Sequence, residues 1–131
     1  MKLRSRFYKT NADRGTSIDI DTHANHSGHS PRLDHVLSGH RRQPYIHDGY
    51  VSVIDGRRTV RFHVFLKNHK ALPVNKITEK WNADASWKGD IVVMKKGEKE
   101  ELVSMSKKDS KLADFAAKKY TFSRMKPELF H

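Results

Sequence analysis

The strongest constraint on the fold of this chain is the stretch Tyr50 to Leu66, YVSVIDGRRTVRFHVFL, two alternating runs joined at Asp55-Gly56. An Asp-Gly pair between alternating runs favours a type I′ hairpin turn, because both central residues take φ > 0 and the turn's twist matches that of the strands. A two-residue turn there sets Val51 opposite Val60, Val53 opposite Arg58 and Tyr50 opposite Arg61. One face then carries Val51, Val53, Val60, Phe62, Val64 and Leu66, and the other Tyr50, Ser52, Thr59, Arg61, His63 and Phe65. The first is a core face. The second mixes rings with cations, and Arg57 and Arg58 add charge at the tip.

Beyond this hairpin, Lys67-Asn68-His69-Lys70 reads as a turn, and Leu72-Pro73 opens a short helix to about Trp81 with Val74, Ile77 and Trp81 in one stripe. Asn82 to Lys88 reads as a loop carrying Trp87. A second hairpin follows, Asp90 to Lys95 and Glu100 to Ser106 around a Lys96-Gly97 turn. Its register stays open between Ile91 opposite Leu102 and Ile91 opposite Val103. Both runs hold apolar residues on both parities, which calls for a central or covered strand. Ser106-Lys107-Lys108-Asp109 then reads as an acidic capping motif, with Asp109 or Ser110 as the competing cap, and a helix from about Ser110 to Tyr120 turns Leu112, Phe115, Ala116 and Tyr120 inward.

The two halves match in order: Val51, Val53, Gly56 and Trp81 correspond to Ile91, Val93, Gly97 and Tyr120. The expected fold is therefore α+β, two ββα units (49–82 and 88–121) forming a four-stranded antiparallel sheet with both helices on one face. In this reading residues 45–131 form the domain, with 122–131 as a C-terminal extension holding Phe122, Met125, Leu129 and Phe130 around Pro127.

Residues 1–44 are rich in Ser, Asn, Gly, His and Asp, with no sustained hydrophobic period, and read as a basic, His-rich, largely disordered tail. Within it, Ser30 as N-cap, Pro31 at the first helical position and Gly39 past the end mark a short helix at 31–38. Six of the nine histidines lie at positions 23, 26, 29, 35, 40 and 47. His23, His26 and His29 are weak metal candidates: their spacing of three lacks the three-and-four alternation that aligns ligands on a helix, and a solvated tail accounts for them, so no metal or other cofactor is expected. Leu33-Asp34-His35-Val36 is similar to the opening Asp-His of HNH nucleases, but the residues those ββα metal enzymes need next do not follow in order.

With 26 Lys and Arg against 15 Asp and Glu, the chain carries a formal charge of +11 and suits polyanionic partners. It has no cysteine, hence no thiolate site and no disulfide framework, and no run long enough to span a membrane. The default setting is intracellular, nucleus or cytoplasm, while Arg4, Arg6 and Arg14 beside Ser5 also suit a mitochondrial presequence.

The expected function is a small, non-enzymatic, nucleic-acid-binding module. Its rings would stack on bases of RNA or DNA and its cations would meet phosphates through Tyr50, Arg57, Arg58, Arg61, His63, Phe65 and Lys67. No RNP-type motif or Gly-rich KH loop is present. Two alternatives use the same residues. One is a protein-interaction module, with the sheet face buried in a homodimer or against an acidic protein. The other is a ribonuclease-like enzyme built on His63 with Arg61 and Lys67, which requires those groups to converge.

Overall fold

The computed structural model describes residues 1–25, 28–33, 36–37, 46–69, 71–84 and 87–123, excepting the side chains of 24, 25, 28 and 29. Seven strands and two helices follow in the order β1 (Lys2–Tyr8), β2 (Thr16–Asn25), β3 (Gly28–Pro31), β4 (His47–Asp55), β5 (Arg58–Leu66), α1 (Lys76–Trp81), β6 (Ile91–Lys96), β7 (Leu102–Val103) and α2 (Lys107–Ser123). The strands form one curled antiparallel sheet, a half-barrel in the order β3-β2-β1-β6-β5-β4, with β7 paired to β6.

This corrects the expected four-stranded sheet of two ββα units behind a disordered tail. The chain's first strand, β1, sits inside the sheet, hydrogen-bonded to β2 on one side and to β6 on the other. Its inward positions are Leu3 and Ser5, opposite Ile20 and Ile18. Ser5 is fully buried and its hydroxyl donates to the Leu3 carbonyl at 3.1 Å. A short polar residue at a core position breaks the alternation that betrays a strand, so β1 looked structureless by composition.

The second hairpin fails as a copy of the first. The strand β7 pairs with β6 only at Lys95↔Val103 and Lys96↔Leu102, around a loop at residues 97–101 in which Glu100 takes φ 69°. Beyond that point β1 takes over the same edge of β6, pairing with residues 91–93, and the chain after β7 is tied back to β1 by Met105 N–H to Arg4 O. The helices differ as much: α1 has 6 residues and α2 has 17. The matching spacing was a coincidence of two amphipathic segments.

The first hairpin forms, with its register displaced by two residues. Asp55 pairs with Arg58, Val53 with Val60 and Tyr50 with His63. Gly56 (φ 64°) and Arg57 are thus the two loop residues; Arg57 lacks positive φ, so glycine at the first loop position gives a type II′ pattern. A shift of two keeps every side chain on its expected face.

Two cores result. On one face α1 and α2 cover Val51, Val53, Val60, Phe62, Val64, Leu66, Ile91 and Val93. Small residues Ala113, Ala116 and Ala117 let α2 lie close to the sheet, which turns Phe115 outward, contrary to its expected burial. The helix begins three residues earlier than expected because Ser106 and Asp109 cap each other: Asp109 N–H donates to Ser106 Oγ at 3.2 Å and Ser106 N–H to Asp109 Oδ2 at 3.1 Å. On its far side Asp114 accepts from Arg6 through both carboxylate oxygens and from the Tyr8 hydroxyl at 2.7 Å, which fastens α2 to β1.

On the other face a second core gathers Leu3, Ile20, Phe65, Val92, Met94 and Leu102 under Leu33 and Leu37. The helix expected over 31–38 falls partly outside the described residues. Pro31 ends β3, and the Val36 and Leu37 N–H groups both bond the Leu33 carbonyl in a single turn. His26, His35, His40 and residues 124–131 also lie outside the described residues.

If β2 belongs to the core, Ile20→Ala should destabilise the protein by about 2–5 kcal/mol, the cost of a buried large-to-small change. A disordered tail would give no change in the urea midpoint.

Candidate functional site

The second face of the β4–β5 hairpin brings some of the expected residues together. Cross-strand pairing of Tyr50 with His63 sets their rings 4.3 Å apart, and Phe65, two residues on, lies 4.0 Å from His63. The planes are tilted by 31° and 33°, so the three rings stand side by side and cover one another's faces. Lys96, reaching over from β6, places its Nζ 4.4 Å from the Tyr50 ring centre, a cation–π contact. Phe65 is buried in the second core, whereas Tyr50 is 55% exposed.

The charges on this face are matched internally. Glu100, in its left-handed conformation, pairs with Arg61 through Oε1 and with Lys96 through Oε2 at 3.2 Å. Asp48 lies 2.6 Å from His63 Nε2. Burial pushes the His63 ring below the usual 6.5. The hydrogen bond and charge of Asp48 oppose that shift, and Lys96 adds to it. At neutral pH His63 is then the neutral tautomer with Nε2–H donating to Asp48. Burial, reinforced by Arg61, likewise lowers Lys96.

The remaining expected residues diverge. Arg57 is exposed at the tip, and Arg58 beside it reaches Asp55 at 3.4 Å and Asp109 at 3.7 Å. Burial alone would raise the Asp109 carboxyl; the Lys95 ammonium at 2.8 Å and the Ser106 cap outweigh it and hold the group below 3.8. Lys67 lies past the other end of β5, about 30 Å from Arg58 along an extended strand, and lines a small cleft with Thr10, Leu37, Leu72, Pro73, Gly89 and Asp90. The catalytic grouping of His63, Arg61 and Lys67 therefore has its base under ring neighbours, one cation held by Glu100 and the other four residues along the chain.

The histidine candidates are likewise spread. His23 is exposed on β2, the side chain of His29 is not described, and among the described residues no three His, Cys, Asp or Glu side chains approach closely enough to hold a metal.

A different feature of the hairpin is more open. The two-residue loop closes on Asp55↔Arg58, and in such a hairpin that closing pair exchanges both backbone hydrogen bonds. Alternation then directs the backbone groups of residues 47, 49, 51, 53 and 55 toward β5, and those of Asp48, Tyr50, Ser52 and Ile54 away from the sheet. Lys119 of α2 confirms the direction, donating to the Ser52 carbonyl at 3.1 Å. No described strand pairs with that outer edge. Above it Phe115 is 61% exposed, and on the opposite face Ile54 is 78% exposed. Sequence reading missed Lys96, Glu100 and Lys119 because each comes from an element outside the hairpin. Asp48, two positions before Tyr50 on the same face, was within reach of the alternation.

Because folding favours neutral His63, its contribution to stability is full above pH 6.5 and is lost as pH falls through the lower folded value. Denaturation between pH 7 and 5 should show a shallower decline for His63→Gln than for the natural chain; parallel curves would contradict the buried neutral ring.

No described helix is long and apolar enough to cross a membrane. Set against protein-family models, curated proteins and solved structures, the chain finds no match in any of the three comparisons.

Proposed function

We propose that this chain is a small, non-enzymatic interaction module that takes an extended protein segment along the outer edge of β4. The observation that supports this reading is the open edge itself. Four outward residues present backbone donors and acceptors over a nine-residue strand, flanked by exposed Phe115 and Ile54. Strand addition draws its affinity from such main-chain groups and its selectivity from the side chains on either face.

The test is amide exchange. The N–H groups of Asp48, Tyr50, Ser52 and Ile54 should exchange fast in the free protein, while those of Gly49, Val51 and Val53 stay protected by β5. A bound segment should slow the first set. Ser52→Pro removes an outward N–H without touching the β4–β5 ladder, so it should keep the fold and block binding. Uniform protection along β4 in the free monomer would overturn the reading.

Nucleic-acid binding is a second reading, favoured by the tip. Arg57 is exposed with no ion-pair partner among the described residues, and Arg58 and Lys108 join it where β4 and β5 meet the start of α2. His63 and Phe65 are covered and only Tyr50 of the three rings is exposed, so contact there would be mainly with phosphates rather than bases. Affinity for an oligonucleotide should then fall steeply with salt, and Arg57→Ala should reduce the slope of log K against log salt by about 0.7–0.9. An unchanged slope would remove Arg57 from the interface.

A further inference from the structure

We infer that the segment entering the β4 edge is acidic, with two carboxylates four residues apart on one face and an apolar side chain between them; this rests on the strand-addition reading above. A strand added to β4 lies about 4.8 Å from it, with alternate side chains turned toward α2. On that side α2 presents Lys108, Leu112, Phe115 and Lys119, spaced by four, three and four residues and so aligned in one stripe. Both ends of the stripe are pinned to β4, Lys108 by Asp55 Oδ2 at 3.9 Å and Lys119 by the Ser52 carbonyl. The stripe reads basic, apolar, apolar, basic.

Its dimensions select the guest. Lys108 and Lys119 are rooted about 16 Å apart on the helix, and their ammonium groups reach β4 at positions about 10 Å apart. Residues four apart on one face of a strand span about 13 Å, which falls between these distances. Two acidic side chains at that spacing meet both ammonium groups, and the apolar residue between them meets Phe115, whose ring borders a hollow shared with Lys118, Lys119 and Phe122. The opposite face of the guest meets Ile54 and Tyr50.

A second copy of β4 suits this edge poorly. Antiparallel pairing about Val51 and Ser52 would bring the Lys119 of two copies together, on chains that each carry +11. An acidic guest has the complementary charge.

Three blocked peptides with the same five-residue core test the inference on the full chain: Thr at the second and fourth positions, Val at the third, and Glu, Gln or Lys at the first and fifth. Titration calorimetry should find the Glu peptide tighter than the Gln peptide by about twofold to thirtyfold, the range for two exposed ion pairs. Added salt should shrink the gap, Lys119→Glu should abolish it and Lys119→Arg should keep it. Bound Glu peptide should also slow exchange at Tyr50, Ser52 and Ile54.

Equal affinity for all three peptides, with those amides protected, leaves strand addition standing and overturns the acidic guest. Absence of peptide binding, with the same amides protected in a concentration-dependent dimer, puts a second copy on the edge and overturns it as well. Absence of any protection, in monomer and mixtures alike, overturns both readings.

Discussion

The constraint on which the rest of the structure depends is the burial of β6 on both faces. Ile91 and Val93 point into the core beneath α1 and α2, Val92 and Met94 into the opposite core, and none of the four is more than 1% exposed. A strand of this kind needs neighbours along both edges and a layer on both sides. The hairpin β4–β5 supplies one edge and β1 the other, with β7 completing the short stretch that β1 does not reach. The helices supply one layer. The other layer comes from curling of the sheet and from Leu33 and Leu37, which is why β1, β2 and β3 belong to the fold rather than to an appendage.

The same constraint explains what happened to the ring-rich face. Once the sheet curls, the Phe65 end of that face lies inside the second core, and only the Tyr50 end meets water. The groups between them occupy a gradient of burial, and a cation there needs a partner close by. Glu100 fills that need for Arg61 and Lys96, and Asp48 accepts from the neutral His63 ring. A surface that reads as cationic in one dimension is close to neutral once strands and loops bring their acids to it. Exposed cations stand instead at the hairpin tip, Arg57 and Arg58, and on the outer side of α2, Lys107, Lys111 and Lys118.

What was legible in the sequence was local. The face assignment of Tyr50 to Leu66 survived a two-residue error in register because alternation has period two, and the Ser106–Asp109 cap was readable because both partners sit within one turn. The covered position of β6 followed from apolar residues on both parities. Less legible was whatever depended on distant partners. The sequence of β1, KLRSRFY, carries a charge at Arg6 that looks solvated until Asp114 is placed beside it. On the inward side of α2, Ala116 and Tyr120 are buried as expected and Leu112 packs half-buried against the core, but bulk wrongly suggested Phe115, where close approach to the sheet selects Ala113 and Ala117. Of the expected site, Tyr50, His63 and Phe65 do meet, and the missing members were long-range by nature.

The two edges of the sheet are managed differently, and the contrast bears on function. At one end β3 has four residues and finishes in Pro31, a short edge with little backbone to offer. At the other, β4 runs nine residues with Tyr50 and Ile54 exposed, and among the described residues its protection amounts to Lys119 over a single carbonyl and charged residues at both ends. A lysine in that position deters a neutral or basic strand by leaving its ammonium unmatched, and it admits one that brings a carboxylate. If a segment adds to this edge as proposed, the same side chain serves both as a guard against indiscriminate sheet growth and as a selector for the guest it fits. A purely protective role could be filled by any bulky charge on the edge. Only a selective one needs the apolar pair Leu112 and Phe115 held between Lys108 and Lys119 beside an otherwise open ladder.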